Sequence, residues 1–500
     1  MLNGSESIAT FVLLAAVVAI LVWGYNRAKA FGRLGMLAWL QSIALMSPWI
    51  LFFGLFTLGI YLNLVGILFL LLASIAVYIW LGTQLRAAGQ EALLKEKAAA
   101  RIKQEELSEK SAATDSSTES ESDLVPEISP IPEEDLASIK GIFGIDTFFA
   151  TETIPYQDGA IFKGNLRGDA DKSYEKMNEK LEAAFADKYR LFLVESPESK
   201  PVVVILPKIN DPQTTTLAQK NLALVLLVGT IVTSLESASL LQGFDLFSDF
   251  GRYGEAIPIA LGLWAILIAH EIGHRAIANR YKIKLSIPFF LPTWQIGSFG
   301  AITRFESLLP NRTALFDIAF AGPAAGGVIS FILLVAGLTL SHPGSMFQLP
   351  TEFFRASVLV GTLAKVILGS TLEAAVVDIS PLVVIGWLGL IITALNLLPA
   401  GKLDGGRIVH AIYGRKTGRR TTLATLIILG IVSLFNPANP IPLYWAVLIL
   451  FLQRDLERPV QNELTEPDDS RAAWGLLALF LALATLIPLS ASLAGRIGLG

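Results

Sequence analysis

The sequence predicts a polytopic α-helical membrane protein with a small α/β cytosolic domain inserted between two transmembrane blocks. Three observations support this fold class. Of the 500 residues, 53% are hydrophobic and only 16% are charged, whereas a soluble domain carries about 25% charged residues. Apolar runs of about 20 residues, the length that spans a hydrocarbon core, recur along the chain. These runs lack the alternation of barrel strands, so the spans are predicted to be helices.

The composition also narrows the classes of partner and of site. The chain contains no cysteine, which excludes disulfides and thiolate metal sites and leaves histidine, aspartate and glutamate as metal ligands. The net charge is −4, and the sequence has no basic block of the kind that binds nucleic acid. We therefore expect no nucleic-acid partner.

The N-terminal transmembrane block is predicted over residues 1–84, with about three spans. The first span, over 9–24, is followed by basic residues. Because a secretory signal carries its positive charges before the apolar segment, we interpret this segment as a retained membrane span. The apolar stretch 36–82 is about twice the spanning length and predicts two spans with a hairpin near 61–63. Residues 85–137 then predict a charged helix and an acidic linker whose Ser- and Pro-rich composition is typical of disorder.

Residues 138–212 are predicted to form the small α/β domain. The stretch "DKSYEKMNEKLEAAFADKY" has helical periodicity, with Asp171 as a candidate N-cap. The stretches "YRLFLVES" and "PVVVILPK" predict two strands joined by the turn "PESK". The paired glycines of "FKGNLRGD", just before the helix, predict a tight turn.

The second hydrophobic block supplies the remaining spans. Its core is predicted over 213–460, and 461–500 is predicted to form a loop and a C-terminal span. The sequence leaves open whether 352–376 crosses the membrane, because Lys365 and Glu373 interrupt this apolar segment. Spans are predicted over residues 219–241, 255–279, 313–340, 381–399, 421–436, 440–453 and 473–490.

Basic residues in the short loops predict the orientation by the positive-inside rule. Those after the first span place that loop in the cytosol and the N-terminus outside. Two further spans return the chain to the cytosol, where the linker and the α/β domain are expected. The span 255–279 ends at a basic loop on the same side, and so does "YGRKTGRR" (413–420) if 352–376 does not cross.

The stretch "LIAHEIGHRAIANRY" (267–281) places His270, Glu271 and His274 inside a predicted span. Four residues apart on a helix, the two imidazoles lie on one face and can bind one Zn²⁺, while the glutamate acts as general base. A lone histidine on an apolar face usually has only a packing role. Here, however, two of only four histidines form H-E-x-x-H at membrane depth, where an ionisable cluster indicates function.

A catalytic zinc typically has three protein ligands and one open position, so a third ligand is needed. The strongest candidate is Asp404 in "ALNLLPAGKLDGGRIVHAI" (394–412), which precedes two glycines that permit close backbone approach. Alternatively, Asp404 only caps the helix that begins at Gly405. His410 is a rival ligand, but its place about two turns into that helix favours a core or supporting role. His342, in "LSHPGS", is expected at the surface.

The pairing of "HEIGH" with a later "NLLPAGKLDGG" resembles the site-2 protease family of intramembrane zinc metalloproteases. The family pattern joins H-E-x-x-H on one span to N-x-x-P-x(4)-D-G on a later one. "FAGPAAGG" (320–327) also resembles the segment between them. "GNLRG" (164–168) resembles a motif of the cyanobacterial and chloroplast branch, the ethylene-dependent gravitropism-deficient and yellow-green proteases. The residues that match the second half of the zinc pattern are Asn396, Pro399, Asp404 and Gly405.

The resemblance implies a mechanism and a setting. His270, His274 and Asp404 would ligate zinc, Glu271 would activate the attacking water, and Asn396 would contact substrate or support the site. The implied activity is regulated intramembrane proteolysis of a transmembrane protein substrate, in contact with membrane lipid, in the plasma or thylakoid membrane, with the active site near the cytosolic face. The oligomeric state stays open.

The stretch "LSIPFFLPTWQIGSFGAI" (285–302) follows the motif helix. Pro288 and Pro292 exclude a plain helix, so the stretch predicts a re-entrant loop or a β-hairpin under the site that could add a strand to an extended substrate. Its apolar content argues against an ordinary connecting loop. Gly322 and Gly326 form a small-xxx-small pair that predicts close helix packing.

Two alternative functions remain at this point. A zinc or ion transporter could use the same intramembrane His and Asp residues as a transit site, although a general-base glutamate beside the first histidine favours proteolysis. A non-catalytic membrane scaffold acting through the α/β domain is the other alternative.

Overall fold

The computed structural model divides the chain into two compact units, comprising residues 1–125, 215–229 and 243–253, and residues 126–214, 230–242 and 254–500. Several positions of the described helices carry no side-chain description. The structure describes residues 21–29, 32–57, 131–156, 158–196, 198–293, 296–436, 439, 441–450 and 455–496, with scattered positions between 66 and 85.

The N-terminal part of the described chain is helical, with a helix over 21–29 and helix α1 over Gly32–Thr57. Most of the predicted span 9–24 and the predicted hairpin near 61–63 lie outside the described residues. The predicted charged helix and acidic linker, up to residue 130, also lie outside them. The division of this region into three spans and a linker therefore stays a prediction.

A four-stranded antiparallel sheet with two helices follows, and it contains both predicted strands. The sheet order is β1-β2-β4-β3, so β3 is an edge strand. Met177 and Leu181 of helix α3 pack on the sheet core around Phe162 and Leu193. The element bounds are α2 Glu133–Lys140, β1 Phe148–Tyr156, β2 Gly159–Leu166, α3 Ala170–Phe185, β3 Tyr189–Glu195 and β4 Pro201–Pro207.

Two local predictions for this domain were wrong. The N-cap of α3 is Asp169, whose carboxylate accepts from Lys172 N, because Asp171 already lies inside the first turn. "FKGNLRGD" does not form a tight turn, since most of it belongs to β2. A Cβ on Gly164 would lie 2.1 Å from Phe149 O; this glycine therefore serves close strand pairing beside the irregularity in β1.

The exposed edge of β3 is covered by an extended segment, residues 461–463. Leu193 N donates to Gln461 O at 2.7 Å, and Glu463 N donates to Leu193 O at 2.9 Å. On its other side this segment donates from Gln461 N to Leu309 O and from Asn462 N to Pro310 O, both at 2.9 Å. Covering the edge satisfies backbone groups that would otherwise be unpaired, and it joins the sheet to the membrane-helical core of the same unit.

Five helices are long and apolar enough to cross a membrane, which confirms a polytopic membrane protein. The predicted spans 219–241, 255–279, 313–340 and 473–490 correspond to four of them. The fifth begins earlier than the predicted span 421–436, since one 32-residue helix runs from Asp404 and is kinked at Gly414 (φ 77°, ψ 176°). The five helices contain α4 Leu217–Leu241, α5 Tyr253–Arg280, α6 Arg312–Leu340, α9 Asp404–Phe435 and α11 Asp469–Leu486.

Three shorter apolar helices, α7, α8 and α10, complete the core, with a terminal helix α12 after α11. The open question over 352–376 is answered against crossing, because its helix has 11 residues, about 16 Å at 1.5 Å per residue. The predicted span 440–453 has eight described helical residues, and 451–454 lie outside the described part, so it stays a prediction. The bounds are β7 Phe347–Pro350, α7 Val358–Leu368, β8 Val376–Ile379, α8 Pro381–Asn396, α10 Ile441–Leu448 and α12 Ala491–Arg496.

Between α5 and α6 the chain forms a β-hairpin, the second of the two forms that the sequence left open. Strands β5 (Phe289–Thr293) and β6 (Gly297–Ile302) pair antiparallel. Thr233 of α4 holds the tip of this hairpin, because its hydroxyl donates to Gly297 O at 2.6 Å.

Candidate metal centre

The H-E-x-x-H motif lies in the second half of α5, and all three of its polar side chains are buried. His270 Nε2 and His274 Nε2 are 3.1 Å apart, as the i, i+4 spacing on one helix face predicts. The motif is packed between the β-hairpin and α6, so the protein rather than lipid surrounds these groups.

Asp404 joins the two histidines from a separate helix. Its Oδ2 lies 3.2 Å from His270 Nε2 and 3.4 Å from His274 Nε2. Among the described residues, these three side chains form a cluster that could hold a metal ion. Asp404 is the first residue of α9, and the cap residue Leu403 makes no side-chain cap hydrogen bond. The carboxylate thus faces the imidazoles instead of capping the helix.

Glycines after Asp404 let the chain make this approach. A Cβ on Gly405 would lie 1.9 Å from Leu397 O, and one on Gly406 would lie 2.4 Å from Gly401 O. Any side chain at either position would collide with backbone. The "LDGG" stretch is therefore required to bring the start of α9 against the loop that follows α8.

The donor set fits zinc. His274 Nδ1 lies 2.7 Å from Ile318 O, so this nitrogen carries the proton and donates, leaving Nε2 with a lone pair toward the cluster. A lone pair directed at a carboxylate is unfavourable without a cation between them. Ligand atoms about 2.0–2.1 Å from a tetrahedral zinc lie roughly 3.3–3.4 Å apart, close to the separations of 3.1 to 3.4 Å found here.

Glu271 is buried beside the cluster but is not one of its three members. Its Oε2 accepts a hydrogen bond of 2.8 Å from the hydroxyl of Thr303, the residue directly after β6. One carboxylate oxygen is thereby held. The arrangement is that of a carboxylate that can take a proton without itself being among the clustered ligand atoms.

Asn396, the last residue of α8, supports the hairpin. Its Nδ2 donates to Phe299 O at 3.2 Å and to Ile392 O at 2.9 Å. Gly300 has φ of +97°, and a Cβ there would lie 2.6 Å from Asn396 Nδ2. Of the two roles expected for Asn396, these contacts correspond to site support.

A cavity of about 10 Å³ lies at the cluster. This is about the volume needed to admit the centre of one water-sized probe. The lining includes a metal-cluster imidazole and carboxylate, a hydroxyl, an amide and a guanidinium, so a water there would find polar partners. The polar side chains that line it are those of His274, Thr303, Asn396, Lys402, Asp404 and Arg407.

Helix α6 packs against the motif through the predicted small-residue pair. A Cβ on Gly322 would lie 2.2 Å from His274 Nε2, and one on Gly326 would lie 3.2 Å from His270 Cβ. Both glycines therefore permit the approach of α6 to the two imidazoles, which extends their predicted packing role to the cluster itself.

The other two histidines lie away from the cluster. His410 is fully buried, and its Nε2 lies 2.7 Å from Glu463 Oε1. This agrees with the expected core role for His410. His342 is exposed in the loop after α6, as expected.

Sequence reasoning missed Thr303 and Arg407. Arg407 is buried one helical turn after Asp404, and its spacing from that acid was a usable signal. Thr303 carried no signal beyond its place after an apolar hairpin, because its contact with Glu271 joins residues 32 apart.

Comparison with known proteins identifies two regions of the chain. The family model described as "Peptidase family M50" matches residues 258–436. The model described as "EGY3 middle domain" matches residues 137–213. The first region contains all three members of the cluster, and the second contains the α/β sheet. No solved structure matches the chain significantly.

Curated relatives match most of the chain. "Probable zinc metalloprotease EGY2, chloroplastic" of Arabidopsis thaliana is 41% identical over 72% of this chain and 65% of its own length. "Probable zinc metalloprotease EGY1, chloroplastic" of the same plant is 36% identical, with 72% of each chain covered. "Probable zinc metallopeptidase EGY3, chloroplastic" is 34% identical over 71% of this chain and 65% of its own length. The chain thus spans just under two thirds of the EGY2 relative.

Proposed function

Because the chain belongs to peptidase family M50, on the branch of the EGY metalloproteases, we propose that it is an intramembrane zinc metalloendopeptidase. Its substrates are membrane-spanning segments of membrane proteins, cleaved in regulated intramembrane proteolysis. The observation that carries this proposal is the buried convergence of His270, His274 and Asp404, with Glu271 beside them. These groups lie on helices long and apolar enough to cross a membrane.

In this mechanism His270, His274 and Asp404 hold zinc, which supplies Lewis-acid polarisation of the scissile carbonyl and of a water molecule. Glu271 accepts a proton from the attacking water and delivers it to the leaving amine. His274 keeps its ring orientation because its Nδ1–H donates to Ile318 O. The buried surroundings exclude bulk water, which strengthens the electrostatic interactions that stabilise the transition state.

The hairpin supplies a place for an unwound substrate. A transmembrane helix hides its peptide bonds in internal hydrogen bonds, so it must become extended before hydrolysis. We propose that the substrate aligns beside β5 or β6 as an added strand. The anchoring of Phe299 by Asn396 and of the hairpin tip by Thr233 supports a rigid template.

The finer topology is also part of this proposal. The charges of the loops support a cytosolic α/β domain between two transmembrane blocks, and an active site near the cytosolic face. The family match over 137–213 supports a separate middle domain. The membrane is the plasma or thylakoid membrane, and the relatives named chloroplastic favour the latter. The five-part division into 1–84, 85–137, 138–212, 213–460 and 461–500 is proposed with it.

The test uses the full chain, reconstituted in vesicles with a panel of fluorophore-labelled single-span peptides that carry Gly-Pro pairs at different depths. Wild type should cleave at least one peptide, and Glu271→Gln should abolish cleavage while retaining one zinc per chain. His270→Ala, the control for metal loss, should lose both zinc and cleavage. Cleavage by Glu271→Gln at the wild-type rate would contradict the mechanism. Zinc flux that survives in Glu271→Gln, without cleavage by wild type, would favour a transporter.

A further inference from the structure

The two acidic groups of the site, Glu271 on α5 and Asp404 on α9, are connected through one polar residue and one cation. Thr303 donates its hydroxyl to Glu271 Oε2 at 2.8 Å. The backbone oxygen of the same threonine accepts from Arg407 Nη2 at 2.9 Å. Arg407 Nη1 lies 3.8 Å from Asp404 Oδ1. A buried chain of contacts therefore runs from the general base to the third ligand.

Each carboxylate in this chain has one oxygen engaged and one directed elsewhere. Asp404 presents Oδ2 to both imidazoles, at 3.2 and 3.4 Å, and Oδ1 to the guanidinium. Glu271 has Oε2 held by Thr303, which leaves Oε1 to take a proton. Because a carboxylate otherwise rotates about its terminal bond with little preference, an asymmetric environment selects one orientation.

Arg407 is itself held from three sides, and its guanidinium is almost entirely buried. Its Nε and Nη2 donate to Glu457 Oε2 at 3.1 and 2.8 Å. Its Cζ lies 4.7 Å from the centre of the Phe305 ring, within the range of a cation–π interaction. A planar fork with fixed donors matches these partners, and the single ammonium of lysine would not.

We propose that Thr303 and Arg407 are positioning residues of the protease site, an inference that rests on the proposed function. Thr303 orients the general base Glu271 toward the water, and Arg407 orients Asp404 so that it offers one oxygen to the metal. Neither residue touches the reacting atoms in this assignment. Arg407 also holds the carbonyl of Thr303, so it couples the orientation of the base to that of the ligand.

The test of Thr303 compares three variants in the full chain, with the peptide that wild type cleaves fastest as probe. Thr303→Val keeps the shape and removes the hydroxyl, so kcat should fall on the order of 10- to 100-fold, with KM and zinc content unchanged. Thr303→Ser should restore at least half of the wild-type kcat. The matched control is Thr393→Val, since that buried hydroxyl bonds only to Gly389 O of its own helix, and its kcat should stay at the wild-type value.

The test of Arg407 measures metal binding directly, by visible absorption during titration of the metal-free chain with Co²⁺. Arg407→Lys should weaken Co²⁺ binding by about 10- to 100-fold, the usual effect of losing a residue that orients a ligand. The control is Arg312→Lys, because Arg312 is an equally buried arginine that donates to Ala411 O and Ile412 O away from the metal. Its Co²⁺ affinity should equal that of wild type.

The outcomes separate this inference from the function on which it rests. If wild type cleaves peptides and Glu271→Gln does not, but Thr303→Val cleaves like wild type, the proposed role of Thr303 is wrong while the protease function stands. Equal loss of kcat in Thr303→Ser and Thr303→Val would also overturn it, since the hydroxyl would then not be the cause. Unchanged Co²⁺ affinity in Arg407→Lys would overturn the role of Arg407, whether or not any peptide is cleaved.

Discussion

Replacing Gly322 by alanine should disable the metal site through a single methyl group. The added Cβ would lie 2.2 Å from His274 Nε2, the ring atom directed at the cluster, whereas ordinary contact begins at 3.4 Å. The ring or α6 must therefore withdraw by about 1.2 Å (3.4 minus 2.2). Withdrawal of α6 gives no relief, because Ile318, which holds His274 Nδ1 at 2.7 Å, lies on the same helix.

The size of this displacement sets the expected effect. A metal site tolerates ligand shifts of about 0.2 Å, and a misplacement of about 1 Å at a catalytic group costs on the order of 100-fold in rate. We expect Gly322→Ala to weaken Co²⁺ and zinc binding at least tenfold and to reduce kcat/KM by about 100-fold. Overpacking should also lower the free energy of unfolding by about 1–3 kcal/mol.

Two neighbouring glycines provide a graded control. Gly326→Ala brings a Cβ to 3.2 Å from His270 Cβ, so a shift of a few tenths of an ångström should suffice and the loss should be small. Gly327→Ala brings a Cβ only to 3.5 Å from the Thr393 side chain and should leave metal affinity unchanged. The assay is Co²⁺ titration with peptide cleavage and thermal unfolding of the same samples. Wild-type metal affinity in Gly322→Ala, or equal losses in all three variants, would refute the reasoning.

Two further predictions concern the α/β domain. Asp171 accepts hydrogen bonds from Asn462 Nδ2 at 2.6 Å and Thr465 Oγ1 at 2.8 Å, so Asp171→Ala should raise amide exchange over 461–465 by about fivefold, whereas no change would show that the edge contacts alone hold the segment. The Lys188 ammonium, and then the Tyr189 hydroxyl, lower the pKa of Asp135 below its ordinary value of 3.8. The stability that Asp135 contributes is therefore present above pH 3.8 and is lost as the pH falls through the lowered pKa. Urea unfolding should show wild type more stable than Asp135→Asn at pH 5 and no different at the lowest pH, and a difference that persists there would contradict this cause.

Local pattern was sufficient for several elements, because each depends on residues close together in the chain. The strands over 189–195 and 201–207 follow from short β-branched runs around a turn. The helix that carries "HEIGH" follows from an apolar run of spanning length. The spacing of His270 and His274 alone places both rings on one face, so their convergence needed no tertiary information.

Other outcomes depended on neighbours that pattern does not reveal. The glycines of "GNLRG" are explained by the approach of Phe149 O to Gly164, on a strand more than ten residues earlier. Asp171 looked like a cap, but Asp169 takes that role and Asp171 bonds to a segment almost 300 residues away. The sequence left 352–376 open, and its division into 3-10 turns and a short helix answers the question.

The sequence by itself determined that this chain has membrane helices and a potential zinc motif, because hydropathy and helical periodicity are local properties. It also marked Asp404 as the candidate third ligand. Only the tertiary structure decided that the carboxylate meets the imidazoles, 130 residues apart in the chain, at 3.2 and 3.4 Å. It alone placed Thr303 on Glu271 and Gly322 against His274. These contacts join different helices and a hairpin, so they depend on how the elements pack and not on the pattern within any one of them.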